Sequence, residues 1–184
     1  MVVDMKKVIR VILKLLLRLF YSSRYLESSY FNDNFVGYRF ALRSIWQRNI
    51  LRLDHPLPFP AVAGCVIADP SRIYFHVDDL HNFQVRGGYF QNYDADILIG
   101  KGTYIAQNVG IITSNHNFYD LSKKESGENV IVGDRCWIGM NSVILPGVTI
   151  GDGTIVGAGS VVTKSFPNGN CIIAGNPAKI IKEL

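Results

Sequence analysis

The sequence has little charge, few cysteines and no long uncharged apolar run, and each shortage closes off a class of protein. Charged residues make up 18% of the 184 positions against 48% apolar ones, so the chain can bury a core and is not a disordered polyelectrolyte. Cys65, Cys136 and Cys171 are an odd number without any CxxC pair, which argues against a disulfide framework or a zinc ribbon and suits a reducing compartment. The most apolar stretch, Val8 to Phe20, is interrupted by Arg10, Lys14 and Arg18, so no uncharged run before Arg18 exceeds three residues. A membrane span needs about 20 apolar residues and a secretory signal an unbroken run of about 7 to 15, so neither is expected. No Gly-rich phosphate loop follows a strand, which removes nucleotidyl transfer. The expected location is cytoplasmic, with the inner face of the membrane as the alternative, and no nucleic acid partner is expected.

The net charge of +4 conceals an asymmetry: residues 1–60 hold ten Lys or Arg against four Asp or Glu, while residues 61–184 hold nine against eleven. In the basic part Lys7, Arg10, Lys14 and Arg18 recur at helical spacing and would stack as one cationic stripe on an aliphatic helix. Two roles are open for its wide apolar face. Residues 6–20 could make peripheral contact with an anionic membrane, or pack against the domain or a sister subunit. A second helix is expected from Val36 to Leu53, ending where His55–Pro60 carries three prolines in five residues. Residues 1–60 therefore read as a helical appendage and residues 61–184 as the main domain.

From there the period changes. Val132, Ile138, Ile144, Ile150, Val156 and Val162 are aliphatic and six residues apart, and four of them are followed directly by Gly. Two places before each stands a small or β-branched residue: Val130, Cys136, Ser142, Val148, Thr154 and Ser160. The phase extends upstream to Ile99, Ile105 and Ile111, and more faintly to Ile67 and Ile73. A period of six matches neither the helix nor a two-sided strand, so the chain must turn a corner once per repeat. The solution is mainly β, a triangular solenoid in which three hexads close one coil and the aliphatic side chain points inward. On this reading the following Gly supplies the permissive backbone of the corner. The polar stretch 113–129 breaks the phase and must leave the prism as a loop, where functional side chains concentrate.

The run WIGMNSVILPGVTIGDGTIVGAGSVVTKSF, Trp137 to Phe166, and the tail AGNPAKIIKEL from Ala174 resemble the hexapeptide-repeat acyltransferases with a left-handed parallel β-helix. Among them the maltose and galactoside acetyltransferases and the polysaccharide O-acetyltransferases are nearest in kind. The resemblance covers about Gly88 to Leu184. It implies transfer of acetyl from acetyl-CoA to a sugar hydroxyl in surface polysaccharide synthesis, by a homotrimer with a saccharide acceptor, without a metal. It makes His116, in TSNHN at the base of the loop, the general base, and an imidazole with an ordinary pKa of about 6.5 suits that task. The sequence does not identify the carboxylate or carbonyl that orients it, and Asp120, Asp78 and Asp79 are candidates. For coenzyme A the resemblance implies Gly157 and Ala158 at a side-chain-poor corner, Lys164, Lys179 and Lys182 as cations, and Trp137 as a wall of the acyl pocket. Asn92, Tyr89 and Tyr93, in GGYFQNYD, are expected to meet the acceptor.

His76 and His81 lie where the phase is weak and no third histidine joins them, so a zinc site is not expected, and His55 reads as structural. Cys136, with its phase pointing inward, is a poor candidate for an acyl-enzyme nucleophile. Two rivals remain: an acetyltransferase for an amino sugar, serine or a xenobiotic, and a non-catalytic β-helix scaffold.

Overall fold

The structure is a computed structural model that describes residues 5–32 and 35–184. Its internal contacts divide the chain into two compact units, Met1–Ala63 and Gly64–Leu184.

The second unit is built of short strands. In chain order they are β1 (Val66–Ile67), β2 (Ile73–Tyr74), β3 (Tyr89–Gln91), β4 (Ile97–Ile99), β5 (Tyr104–Ile105), β6 (Gly110–Ile112) and β7 (Val130–Val132). There follow β8 (Trp137–Ile138), β9 (Val143–Ile144), β10 (Thr149–Ile150), β11 (Ile155–Val156), β12 (Val161–Val162), β13 (Cys171–Gly175) and β14 (Ala178–Glu183). From β3 to β12 successive strands fall on successive walls. Wall 1 stacks β1, β3, β6, β9 and β12; wall 2 stacks β2, β4, β7 and β10; wall 3 stacks β5, β8, β11 and β13, with β14 antiparallel at its edge. Val132, Ile138 and Ile144 thus occupy three different walls. Register aligns the inward side chains in columns, Ile67, Phe90, Ile111, Ile144 and Val162 on wall 1 and Ile105, Ile138, Val156 and Ile173 on wall 3, all buried. The six-residue period therefore gives a three-walled prism whose core is a stack of β-branched and aromatic side chains.

The corners correct one expectation. The left-handed backbone does not fall on the glycine after the aliphatic residue but three places after the aliphatic itself, at Gly102, Asn108, Arg135, Asn141, Gly147, Gly153 and Gly159, with φ from 53° to 74°. The glycine after the aliphatic answers a different demand, the close stacking of corners. A Cβ on Gly139 would lie 2.6 Å from the Ala158 nitrogen and 2.7 Å from the Val156 oxygen. The small inward residues also carry a duty beyond size. Ser142 and Ser160 donate to the Gly157 carbonyl at 3.0 and 2.6 Å, and Thr154 donates to Gly151 at 2.7 Å, so buried hydroxyls satisfy corner carbonyls that no strand reaches.

At the start of the prism a 3-10 stretch, Val77–Phe83, takes the place of a wall 3 strand. Leu80 and Phe83 are buried in the core, while Asn82 supplies what a strand backbone would have given. Its amide donates to Thr103 O at 2.9 Å, and its Oδ1 accepts from Ile105 N at 2.8 Å.

In the first unit, α1 (Met5–Leu17) and α2 (Val36–Ser44) are helical, and α2 continues as a π-helical turn, Ile45–Ile50, where an unbroken helix to Leu53 was expected. The wider turn carries Ile45 and Arg48 to the buried side. Arg48 is 1% exposed and donates to the carbonyls of Ala61, His55 and Val62 at 3.1, 2.8 and 2.9 Å. Its guanidinium thus gathers the proline-rich segment against the helices, so that Leu57 and Phe59 belong to this core. Tyr21, buried with its hydroxyl on the Ala41 carbonyl, has its pKa pushed up to about 12 by burial.

Candidate active site

The loop between β6 and β7 is an ordered arm. Its strands run antiparallel through the bridge between His116 and Lys124, with Glu125 N donating to Asn115 O and Asn117 N to Lys123 O. Gln91, on the coil below, holds its root. Gln91 Oε1 accepts from Thr113 N and Ser114 N at 3.0 and 3.1 Å, and its amide nitrogen donates to Ser114 O and Oγ at 3.2 and 3.1 Å. One side chain therefore fixes the two residues immediately before the segment that carries the imidazole.

His116 is exposed, and its Nδ1 lies 2.8 Å from the Leu121 carbonyl. A carbonyl can only accept, so Nδ1 carries the hydrogen, and in the neutral ring Nε2 keeps its lone pair. The orienting group is this backbone oxygen, not a carboxylate. Asp79 is buried and accepts from Gly102 N at 2.8 Å, and Asp78 is engaged at the His76 cap. Asp120 acts one step removed. It accepts from Ser122 N and Oγ and pairs with Lys123 at 3.1 Å, which shapes the turn that presents Leu121. Those bonds hold its carboxyl below the usual carboxylate range, the Ser122 hydroxyl being the largest influence.

Lys124 lies 4.9 Å from the Tyr93 ring centroid, tying the arm to the acceptor candidate Tyr93, which is 52% exposed. Tyr89 is exposed on the outer face of wall 1. Asn92 is a correction. It is fully buried, its amide donates to Asp69 O at 2.7 Å and its Oδ1 accepts from Asp69 N at 3.0 Å, so it is a rung between coils that presents no surface to an acceptor.

The donor-side residues divide by wall. β6, β9 and β12 are neighbours on wall 1, so the corner carrying Lys164 lies two coils along the same prism edge from the root of the arm, a rise of about 10 Å. Lys164 also borders a cavity of about 300 Å³ with Phe166, Pro167, Gly169 and Ile180. Trp137 is 56% exposed on wall 3, in register with Tyr104 and Ile155, and so points outward rather than packing between coils. Lys179 and Lys182 lie exposed on β14 at the edge of that wall, and Ala158 is exposed at the corner leaving it. Gly157 is the second correction, because its N–H donates to Ile173 O and its carbonyl takes two hydroxyls. One chain thus groups His116, Gln91, Tyr93 and Lys164 on one edge and leaves Trp137, Ala158, Lys179 and Lys182 on another wall.

His76 and His81 have structural partners. His76 caps the 3-10 stretch through Asp78 N, and His81 meets Thr103 O at 3.2 Å and stacks on Tyr104. Among the described residues no three metal-ligating side chains gather in one place. Cys136 is buried, and burial pushes its thiol pKa up, the opposite of an activated nucleophile. Gln91 and Lys124 lie outside the motif-based site. The amide-rich GGYFQNYD was the one signal for Gln91, and nothing in the sequence marks the Leu121 carbonyl.

The prism is a left-handed parallel β-helix, and residues 129–164 match the family model described as bacterial transferase hexapeptide (six repeats). Galactoside O-acetyltransferase of Escherichia coli (strain K12) is 35% identical over 113 residues, 56% of this chain and 55% of that protein. A second relative from the same strain, "Putative lipopolysaccharide biosynthesis O-acetyl transferase WbbJ", is 42% identical over 99 residues, 47% of this chain and 50% of that one. A solved galactoside acetyltransferase in complex with coenzyme A superposes with a TM-score of 0.50 at 29% identity, covering 65% of this chain and 62% of that one. The chain spans about half the length of these curated relatives.

Proposed function

We propose that the chain is an acetyl-CoA-dependent O-acetyltransferase that acts on a sugar hydroxyl, in surface polysaccharide biosynthesis. The observation that carries this reading is the bond from His116 Nδ1 to the Leu121 carbonyl, which leaves Nε2 as a basic nitrogen on an exposed, braced arm. In the reaction Nε2 takes the proton of the acceptor hydroxyl while its oxygen bonds to the thioester carbonyl carbon. The C–S bond then breaks, the sulfur leaves as coenzyme A thiol with the proton returned by the imidazolium, and His116 is neutral again. Transfer is direct, in a ternary complex, in keeping with the buried Cys136.

The division of donor and acceptor residues between walls supports a homotrimer, in which the His116 edge of one copy faces wall 3 of the next. Trp137 would then border the acyl group, Ala158 the pantetheine, and Lys164, Lys179 and Lys182 the phosphates. A cytoplasmic setting is supported by three buried cysteines that form no disulfide with one another. The printed activities of the galactoside and lipopolysaccharide relatives support a saccharide as acceptor.

The test is acetyl-CoA consumption across oligosaccharide acceptors. Wild-type turnover with a saccharide is expected, and His116→Ala should lower it by about 10² to 10⁴ while keeping the oligomer and the thermal shift given by coenzyme A. Turnover with only an amine or serine would change the acceptor class. Absence of any thermal shift with coenzyme A would turn the reading toward a scaffold.

A further inference from the structure

We propose that the first unit docks on an anionic lipid surface through α1, with the aliphatic face in the acyl region and the flanking cations on the headgroups. The proposal goes beyond acyl transfer and does not depend on it. It starts from an inversion. A helix that packs on its own domain buries its aliphatic side and turns its charges to water, whereas α1 turns Arg10 and Lys14 partly inward and leaves most of its aliphatic side chains exposed. Arg10 donates to Asn32 O at 2.8 Å and Lys14 pairs with Glu27 at 3.0 Å, so two of the four stripe cations share the inward side with the half-buried Leu13 and the buried Leu17. Val8, Ile9, Val11, Ile12, Leu15 and Leu16 are 41% to 59% exposed. At 100° per residue they span an uninterrupted arc of about 160°. Lys7 and Arg18, both exposed, lie along one border of that arc.

Charge selects the occupant. Residues 1–60 carry a surplus of six positive charges, and of their acids Glu27 and Asp54 already pair with Lys14 and Arg48. A second copy laid antiparallel and face to face would bring cation against cation, whereas anionic headgroups are complementary to the border and acyl chains to the arc. The next helical segment repeats the combination, with Leu42, Trp46 and Ile50 exposed and Arg39 and Arg43 among them. Tryptophan beside arginine is a pairing suited to the membrane–water boundary. No helix among the described residues is long and apolar enough to cross a membrane, so α1 would lie in the surface.

The full chain is tested by co-sedimentation with vesicles of phosphatidylcholine alone and of phosphatidylcholine mixed with phosphatidylglycerol, without acetyl-CoA. Binding is expected to the mixed vesicles and to fall with salt. Removing two cations in Lys7→Ala/Arg18→Ala should weaken partitioning about 25-fold, at about fivefold per charge. Val8→Asp/Leu15→Asp should abolish it and leave the oligomer and the coenzyme A thermal shift unchanged. The proposal is overturned if the chain ignores mixed vesicles, if neither double variant alters binding, or if the aspartate pair breaks up the oligomer, which would assign the face to a second copy. Because lipid binding is read without substrate, its failure and a failure of the transferase reading are separate results.

Discussion

In the 64–184 unit the repeat's aliphatic columns are inside, and each coil finds its hydrogen-bond partners in the next. In the 1–63 unit a helix holds six aliphatic side chains outward while an arginine is the largest side chain fully buried. The prism repeats one environment, so a single rule, an aliphatic every sixth place, is enough to fill it. The helical unit has no repeat. Its core is made of contacts that occur once, such as Tyr25 against Phe59 and Phe31 edge-on to Tyr38, and one guanidinium holds three carbonyls together. Damage to the prism should therefore follow position within the hexad, and damage to the helical unit should follow individual partners.

The largest effect expected under that contrast is at Gly139. A valine there would drive Cβ into the backbone of the next coil, and a loss above about 4 kcal/mol is expected, seen as a collapsed thermal melt. Gly159, with φ of +70° and nothing within 4 Å of a built Cβ, provides the control: Gly159→Ala should lose only about 1 to 2 kcal/mol, the strain of the left-handed backbone alone. Equal losses at both would break the distinction between stacking and turning glycines.

Arg48→Leu comes next, at about 3 to 5 kcal/mol, because the carbonyls of Ala61, His55 and Val62 and the Asp54 carboxylate lose a buried partner. Limited proteolysis should find new cuts within 1–63 and leave 64–184 resistant. Cuts spread through both parts would deny that the two cores stand apart.

How much the sequence reveals follows the same line. The hexad phase assigns wall and inward direction as far upstream as Ile67 and Ile73, because the column geometry is a property of spacing. It does not assign the corner glycines, since the left-handed position and the crowded position are three-dimensional facts that a count of glycines cannot separate. That residue 116 lies on a loop outside the prism is legible from the break in the hexad phase, but the oxygen that its Nδ1 meets belongs to a backbone and carries no letter. Asn92 and Gln91 are adjacent and both carry side-chain amides, yet one is a buried rung and the other the brace of the arm, because strand alternation sends them to opposite faces. The amphipathic period of α1 is equally plain in the letters. Which face turns inward is not, because that depends on where Asn32 O and Glu27 stand.

Gln91 sharpens the comparison from within the prism, as a residue valued for one contact set instead of for its phase. Gln91→Ala should loosen the root of the arm and lower kcat by about ten- to a hundredfold, with KM for acetyl-CoA unchanged and the melt little affected. Gln91→Glu keeps the acceptor for Thr113 N and Ser114 N but loses the donor to Ser114, so it should recover part of kcat. A rise in KM with kcat intact would make Gln91 a ligand contact and not a positioning residue.

The smallest expected effect concerns the turn of the arm. Asp120 has its carboxyl held below the usual range by Ser122 and Lys123, so its bonds contribute to the folded arm at every pH above the ordinary carboxylate value of about 4. The contribution disappears as pH falls through the depressed value, where the protonated acid no longer accepts both Ser122 bonds or attracts Lys123. The carboxylate side chain is 43% exposed, so screening keeps the effect local to residues 117–123 and leaves the prism's melt unmoved. Amide signals of Leu121 and Ser122 followed by NMR should shift below about pH 4 in the wild type and stay level over the same interval in Asp120→Asn. A shift retained in the variant would place the acid-sensitive group elsewhere. A shift that instead spread along wall 1 would mean that the arm is not the separately ordered element its hydrogen bonds describe.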